Sequence, residues 1–368
     1  MKSNKIKDII AILENAVPLD YQEEYDNCGL ITGDINQDVQ AILISLDCTE
    51  EVIEEAISLK ANLIISHHPL IYNALKKLTG KNYIERTLIK AIKNNIAIYA
   101  AHTNFDNIIG GVSFKIAEKI GLKNCKVLGP KSGYLKKLIT FCPIEHSNKV
   151  RIALFNAGAG QIGNYDQCSF NAEGFGTFRA LENTNPFVGE ILKLHKEPEE
   201  KIEVIFPRHL QNKLIKALLD NHPYEEVAYD IIPLDNKFNN LGGGVIGELD
   251  NEIPAIDFLK KIKEIINIDC IRHTETKNRK IKKIAICGGS GIFLLNDAIK
   301  ADADIYLTAD IKYHQFFDAE NKIILADIGH YESEQFTKDL LSELVIKNIS
   351  NFAVHITNVN TNPIKYLI

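Results

Sequence analysis

No C-x-x-C pair occurs in the 368 residues, and the seven cysteines (Cys28, Cys48, Cys125, Cys142, Cys168, Cys270, Cys287) stand singly. An odd, scattered set excludes a disulfide framework and a thiolate zinc site, and predicts a reducing compartment. No block of lysine or arginine is present and the net charge is −6, so nothing answers the phosphate backbone of a nucleic acid. No apolar run approaches the roughly 18 residues that a membrane span needs. Met1–Leu19 interrupts its apolar residues with charge, which predicts an amphipathic helix rather than a signal peptide. Short internal repeats and low-complexity tracts are also missing. The expectation is a soluble, cytoplasmic protein without nucleic-acid or membrane partners.

What is present is ordinary globular material: 45% hydrophobic and 24% charged residues over a length that suits two or three domains. Short apolar runs alternate with helical periodicity in the first third. Ala41–Leu46 precedes a helical stretch at Thr49–Leu59, Asn62–Ser66 one at Tyr83–Asn94, and Ile96–Ala101 one at Val112–Ile120. The same grammar returns late, with Lys283–Cys287, a helix near Phe293–Ala301, Ile305–Thr308, Lys322–Asp327 and a helix over Glu332–Lys347. Continuous apolar strands between helices predict a parallel-rich sheet covered on both faces. The middle differs. Leu138–Cys142, Ile202–Phe206 and Val227–Ile232 read as strands around helices at Asn148–Asn156 and Leu210–Asn221, with a Gly-, Asn- and Phe-rich stretch at Cys168–Gly189. Breaker clusters bound this region, Gly129-Pro130-Lys131 and Leu241-Gly242-Gly243-Gly244. The chain therefore reads as one α/β domain in two sequence halves, 1–129 and 241–368, with a small α+β domain inserted at 130–240.

Three strand ends carry metal-ligand chemistry. His67-His68-Pro69 follows Asn62–Ser66 directly, at the carboxyl edge where open α/β sheets bind ligands. Neighbouring strand residues point to opposite faces, so chelation by both imidazoles needs two ions or a twist at Pro69. His102 and Asp106 follow Ile96–Ala101. Asp106 can bridge two cations or simply close a turn, and His102 can be a ligand, a supporting donor or a group facing substrate. His330 and Glu334 follow the third strand, four residues apart and so on one helical face, although glutamate in a first turn is common without metal. The nitrogen and oxygen donors suit zinc, manganese, iron or a similar divalent ion.

Other candidates are weaker. Cys287-Gly288-Gly289-Ser290-Gly291 lies between a strand and a helix and can cradle a phosphate. It lacks the lysine of a P-loop and the spacing of a dinucleotide fingerprint, and a plain turn is the simpler reading. Leu241–Gly244 reads as a hinge. Cys28 and Cys287 have no base nearby in sequence.

With these residues assembled, the chain resembles the GTP cyclohydrolase I type 2 homologue family, the Nif-three-like proteins. The resemblance rests on Asp26-Asn27-Cys28-Gly29-Leu30, Ser66-His67-His68-Pro69, His102-Thr103-Asn104-Phe105-Asp106, Thr308-Ala309-Asp310-Ile311-Lys312-Tyr313-His314 and Gly329-His330-Tyr331-Glu332-Ser333-Glu334, in the family's order over almost the full length. Thr308-Ala309-Asp310 departs from it, since the family has a glycine followed by glutamate there. The middle resembles the longer bacterial members through Ala172-Glu173-Gly174-Phe175-Gly176-Thr177-Phe178-Arg179, Asn185-Pro186-Phe187-Val188-Gly189 and His222-Pro223-Tyr224-Glu225-Glu226. The resemblance implies a Nif-three-like α/β sandwich with a PII/CutA-like insertion and a toroidal homohexamer. It also implies two divalent cations per chain on His67, His68, Asp106, His330 and Glu334, and its name implies opening of the GTP imidazole ring.

Two functions follow as expectations. One is a dinuclear metal-dependent hydrolase of a nucleotide or phosphorylated heterocycle, with His102 or His314 moving protons. The other is a metal-dependent regulatory or binding module whose inserted domain senses a small molecule.

Overall fold

Aliphatic runs of four or five residues are too short for buried helices, and they form central strands whose every residue is buried. The computed structural model, which describes residues 4–349 and 352–367, sets the strands in three sheets. In chain order these are β1 (Gly29–Thr32), β2 (Ala41–Ser45), β3 (Leu63–Ser66), β4 (Ala97–Ala100), β5 (Lys123–Leu128), β6 (Leu135–Pro143), β7 (Phe170–Arg179) and β8 (Leu194–Pro207). They continue with β9 (Tyr229–Leu234), β10 (Gly244–Pro254), β11 (Arg272–His273), β12 (Lys280–Ile286), β13 (Ile305–Thr308), β14 (Ile324–Asp327) and β15 (Ala353–Ile356). The backbone gathers into two compact units, one made of residues up to Gly129 and from Asn240 onward, the other of Pro130–Asn239.

The first unit holds two sheets where the sequence pattern predicted one. The five-stranded sheet runs β1-β4-β3-β2-β15, parallel except for β1. The six-stranded sheet runs β11-β14-β13-β12-β10-β5, parallel only across β12, β13 and β14. Each sequence half lends a strand to the other's sheet: β15 pairs with β2, and β5 pairs with β10. That exchange makes the halves one unit.

Helices follow from caps and apolar faces. Thr49 accepts from Val52 N–H and Asn82 from Glu85 N–H, which fixes the starts of Glu50–Ser58 and Tyr83–Lys93. The first helix is Ile6–Ala16, and residues 1–3 of the expected Met1–Leu19 helix lie outside the described residues. It buries Ile6, Ile9 and Leu13 in one core with Ile42 and Ile44 of β2 and with Leu341 and Val345 of helix Thr337–Asn348. Helix Val112–Ile120 buries Ile116, Ala117 and Ile120 with Phe258 and Ile262 of helix Ala255–Ile266 and with β12, β13 and β14. Leu241–Gly244, read as a hinge from the sequence, is packed and paired within the first unit. Leu241 is fully buried and bridged to Ile108, Gly242 N–H donates to Asn107 C=O, and Gly244 opens β10 against Leu128.

The second unit runs β6, helix Ile144–Ala157, β7, β8, helix Gln211–Asn221, β9. Its antiparallel sheet has the order β7-β8-β6-β9, which is the β-α-β-β-α-β ferredoxin-like arrangement. Leu138, Val150, Leu154, Ile202, Val204, Phe206, Leu214 and Leu218 form its core.

Candidate metal centre

β3 ends at Ser66, so His67 and His68 stand beyond the regular strand and escape its alternation. Ser66 Oγ donates to His68 C=O at 2.8 Å and tightens the turn. The imidazole rings of His67 and His68 lie 5.0 Å apart. After β4, His102 caps the one-turn helix Thr103–Asp106, which ends on Asp106. After β14, Gly329 adopts a φ of 76° and starts the helix His330–Glu334. The four-residue spacing then brings His330 Nε2 to 3.0 Å from Glu334 Oε2.

Glu334 lies between the strand ends of the two sheets. Its Oε2 is 2.9 Å from His68 Nε2, and its Oε1 is 3.8 Å from His67 Nε2. His67 Nε2 is 3.6 Å from Asp106 Oδ1, and the Nε2 atoms of His68 and His330 are 3.3 Å apart. Among the described residues, three triads have donor atoms within 4.8 Å of one another: His67/Asp106/Glu334, His68/His330/Glu334 and His67/His68/His102. All five sequence-predicted ligands thus come together, and His102 joins them. Glu334 belongs to two triads and Asp106 to one. His314 lies elsewhere, on the exposed short helix Tyr313–Ala319, where its ring meets Tyr313 and Phe317.

Each imidazole is aimed by an acceptor behind it. Nδ1 of His67 meets Ala101 C=O at 2.8 Å, that of His68 meets Asp47 at 2.7 Å, that of His102 meets Asp26 at 2.8 Å, and that of His330 meets Asp310 at 2.7 Å. An acceptor at Nδ1 fixes the proton there and turns Nε2 inward, the arrangement that orients metal-binding histidines. Sequence reasoning missed these carboxylates. Asp26 and Asp310 lay inside the quoted motifs, and Asp47 follows β2 by the same strand-end rule that singled out His67. At Asp310 the departure from the family's glutamate keeps a carboxylate on His330.

The cluster is built to attract positive charge. Burial lowers the imidazole of His68, yet the Glu334 and Asp47 carboxylates outweigh it and hold the group up at about 10. Burial likewise opposes His330, and Glu334 with Asp310 raise it to about 11. Glu334 is held well below the carboxylate range despite its burial, by His330 and His68. Burial pushes Asp106 up, with His67 only partly offsetting it. His67 Nε2 and Asp106 Oδ1 are buried with no hydrogen-bond partner. Buried polar atoms are normally paired, and an imidazole nitrogen beside a carboxylate oxygen is completed by a divalent cation. The residues therefore fit the metal that their types imply.

A cavity of about 400 Å³ opens beside the cluster, lined by Tyr25, Tyr72, His102 and Phe293 as well as His68, Asp106, His330 and Glu334. Among the described residues, no lysine or arginine lines it. The Cys287–Gly291 loop is a turn rather than a phosphate cradle. The N–H groups of Gly288, Gly289 and Gly291 are taken by the hydroxyls of Ser113, Ser333 and Thr308. Burial pushes the thiols of Cys28, to about 12, and Cys287 upward, so neither is poised as a nucleophile.

Fold and cluster together define an α/β protein whose two-sheet unit carries imidazoles and carboxylates able to hold cations where its strands end. The sequence pattern of the Duf34/NIF3 (NGG1p interacting factor 3) family matches residues 4–363, and the chain belongs to that family. A Bacillus subtilis protein named GTP cyclohydrolase 1 type 2 homolog is 36% identical over 371 residues, covering all of both chains. The Halalkalibacterium halodurans protein of the same name is 38% identical over 372 residues, again with full coverage. A crystal structure of a Bacillus cereus protein related to NIF3 superposes with a TM-score of 0.87 at 40% identity, covering all of both chains.

Proposed function

We propose that the protein is a dinuclear metal-dependent hydrolase of a nucleotide or related phosphorylated heterocycle, with His67, His68, Asp106, His330 and Glu334 as ligands. The observation that carries this reading is the buried, unpartnered pair His67 Nε2 and Asp106 Oδ1 beside Glu334, which a purely structural network would have closed with hydrogen bonds. We assign His67, Asp106 and Glu334 to one cation and His68, His330 and Glu334 to the other, with Glu334 shared. Two divalent cations held there would supply Lewis acidity toward water and toward a substrate oxygen.

The remaining residues have roles of their own. His102 lines the cavity with Nδ1 held by Asp26, so its Nε2 is the atom that exchanges a proton with substrate or water. Tyr25, Tyr72 and Phe293 offer flat apolar faces to a heterocycle. With no lysine or arginine lining the cavity, substrate phosphates would depend on the cations for neutralisation. The relatives' name makes GTP the first nucleotide to test. The PII/CutA-like character of the insertion draws support from its β-α-β-β-α-β order, and the family resemblance supports a homohexamer.

Metal-loaded protein offered a nucleotide panel headed by GTP should form product, lose the activity on chelation and regain it on metal return. His102→Ala should lower turnover by about 10²–10⁴-fold while leaving bound metal unchanged. If fully metallated protein turns over no nucleotide, the hydrolase reading fails. The rival reading, a metal-dependent regulatory module, is favoured by one further observation: the inserted unit has a cavity of its own.

A further inference from the structure

That second cavity, of about 740 Å³, lies wholly within Pro130–Asn239 and has the size of a small-molecule site. The three middle segments that played no part in the metal centre converge on it: Ala172–Arg179 of β7, Pro186-Phe187, and Tyr224-Glu225-Glu226. They bring aromatic rings to one place. Phe178 and Tyr224 have centroids 6.1 Å apart, and Phe187 and Tyr224 6.3 Å, in tilted contact.

A carboxylate sits among these rings. Glu199 of β8 is only 8% exposed, and the Tyr224 hydroxyl donates to its Oε1 at 2.8 Å. Room for it comes from the facing strand, since a Cβ at Gly176 would fall 2.1 Å from Glu199 Oε2. Glu173, Glu225 and Glu226 also line the cavity, against the cations Arg179 and Lys201. Lys201 is engaged with Glu203 at 2.5 Å, and Glu225 accepts from Asn185 N–H at 3.0 Å. Four carboxylates against two cations leave the walls net negative. Aromatic faces around a buried carboxylate recognise a positive group on an apolar body, through charge-assisted hydrogen bonds and cation–π attraction.

We propose that the inserted unit is a binding site for a small organic cation with a flat apolar body, its positive group on Glu199 and its body among Phe178, Phe187 and Tyr224. The site is independent of the metal centre and of the hydrolase reading.

Benzamidine tests it, with benzamide as a neutral mimic of the same shape and benzoate as the anionic one. Binding to the full-length protein is read by saturation-transfer NMR titration. Benzamidine should bind about tenfold tighter than benzamide, the gain expected from one charge-assisted hydrogen bond, and benzoate weakest. Glu199→Gln should remove the preference for benzamidine over benzamide. Phe187→Ala, at a half-exposed position that the fold tolerates, should weaken both by several-fold. Benzamide or benzoate binding as well as benzamidine would overturn the proposal, as would a folded Glu199→Gln protein that keeps the preference. Should Glu199→Gln fail to fold, the wild-type ranking and Phe187→Ala decide alone, and Phe187→Ala binding benzamidine as tightly as wild type overturns the site.

Discussion

Asp26 shows how a single carboxylate organises one wall of the centre. It accepts from His102 Nδ1, from the backbone N–H and hydroxyl of Thr103, and from Cys28 Sγ. Burial alone would raise its carboxyl group, but these donors, led by His102, hold it well below the ordinary range. A depressed folded value means that the contribution is present above the unfolded value of about 3.9 and is lost as pH falls through the folded one. Asp26→Asn should therefore cost the metal-free protein about 1–3 kcal/mol at pH 7, and the gap should narrow only below about pH 4. Urea unfolding across that range measures it; a gap as wide at pH 3 as at pH 7 contradicts the assignment. The five proposed ligands were legible because strand ends and helical spacing announce them. Their carboxylate supports were not, because an aspartate 76 residues from His102 or 20 from His330 meets its partner only through the fold.

Among the elements, short buried strands were readable wherever the apolar run was continuous, as at Ile305–Thr308, and helix Val112–Ile120 has the expected bounds. The expected helix at Glu332–Lys347 is two pieces, His330–Glu334 and Thr337–Asn348, separated at Gln335-Phe336. The second sheet went unseen because β5 and β10 mix polar and apolar residues on partly exposed positions, which weakens the pattern for a buried parallel strand. The glycine loop after β12 gains its meaning only from what it faces. Gly289 has a φ of 61°, and a Cβ there would fall 2.0 Å from Glu334 Oε1. Gly289→Ala should thus displace the shared carboxylate, cutting metal content sharply for a stability loss of about 1–2 kcal/mol from the backbone. Elemental analysis alongside thermal unfolding checks this. A variant that retains its full metal refutes the role given to the loop.

For the molecule as a whole, every proposed ligand lies in the unit formed by the two sequence halves, and the inserted unit has its own core. Joining Gly129 to Asn240 through a short Gly/Ser linker should leave a folded protein that still binds metal, seen by circular dichroism and metal titration. Insolubility at every linker length would refute that division. The proposed dinuclear centre stands on Glu334 being shared between two cations. The direct measurement is metal per chain, by mass spectrometry of wild-type and Glu334→Ala protein after identical metal loading and gel filtration. Wild-type protein should carry two divalent ions per chain and Glu334→Ala should lose both, with Asp106→Ala keeping an ion at His68 and His330. One ion or none in the wild type, or two retained by Glu334→Ala, would contradict it.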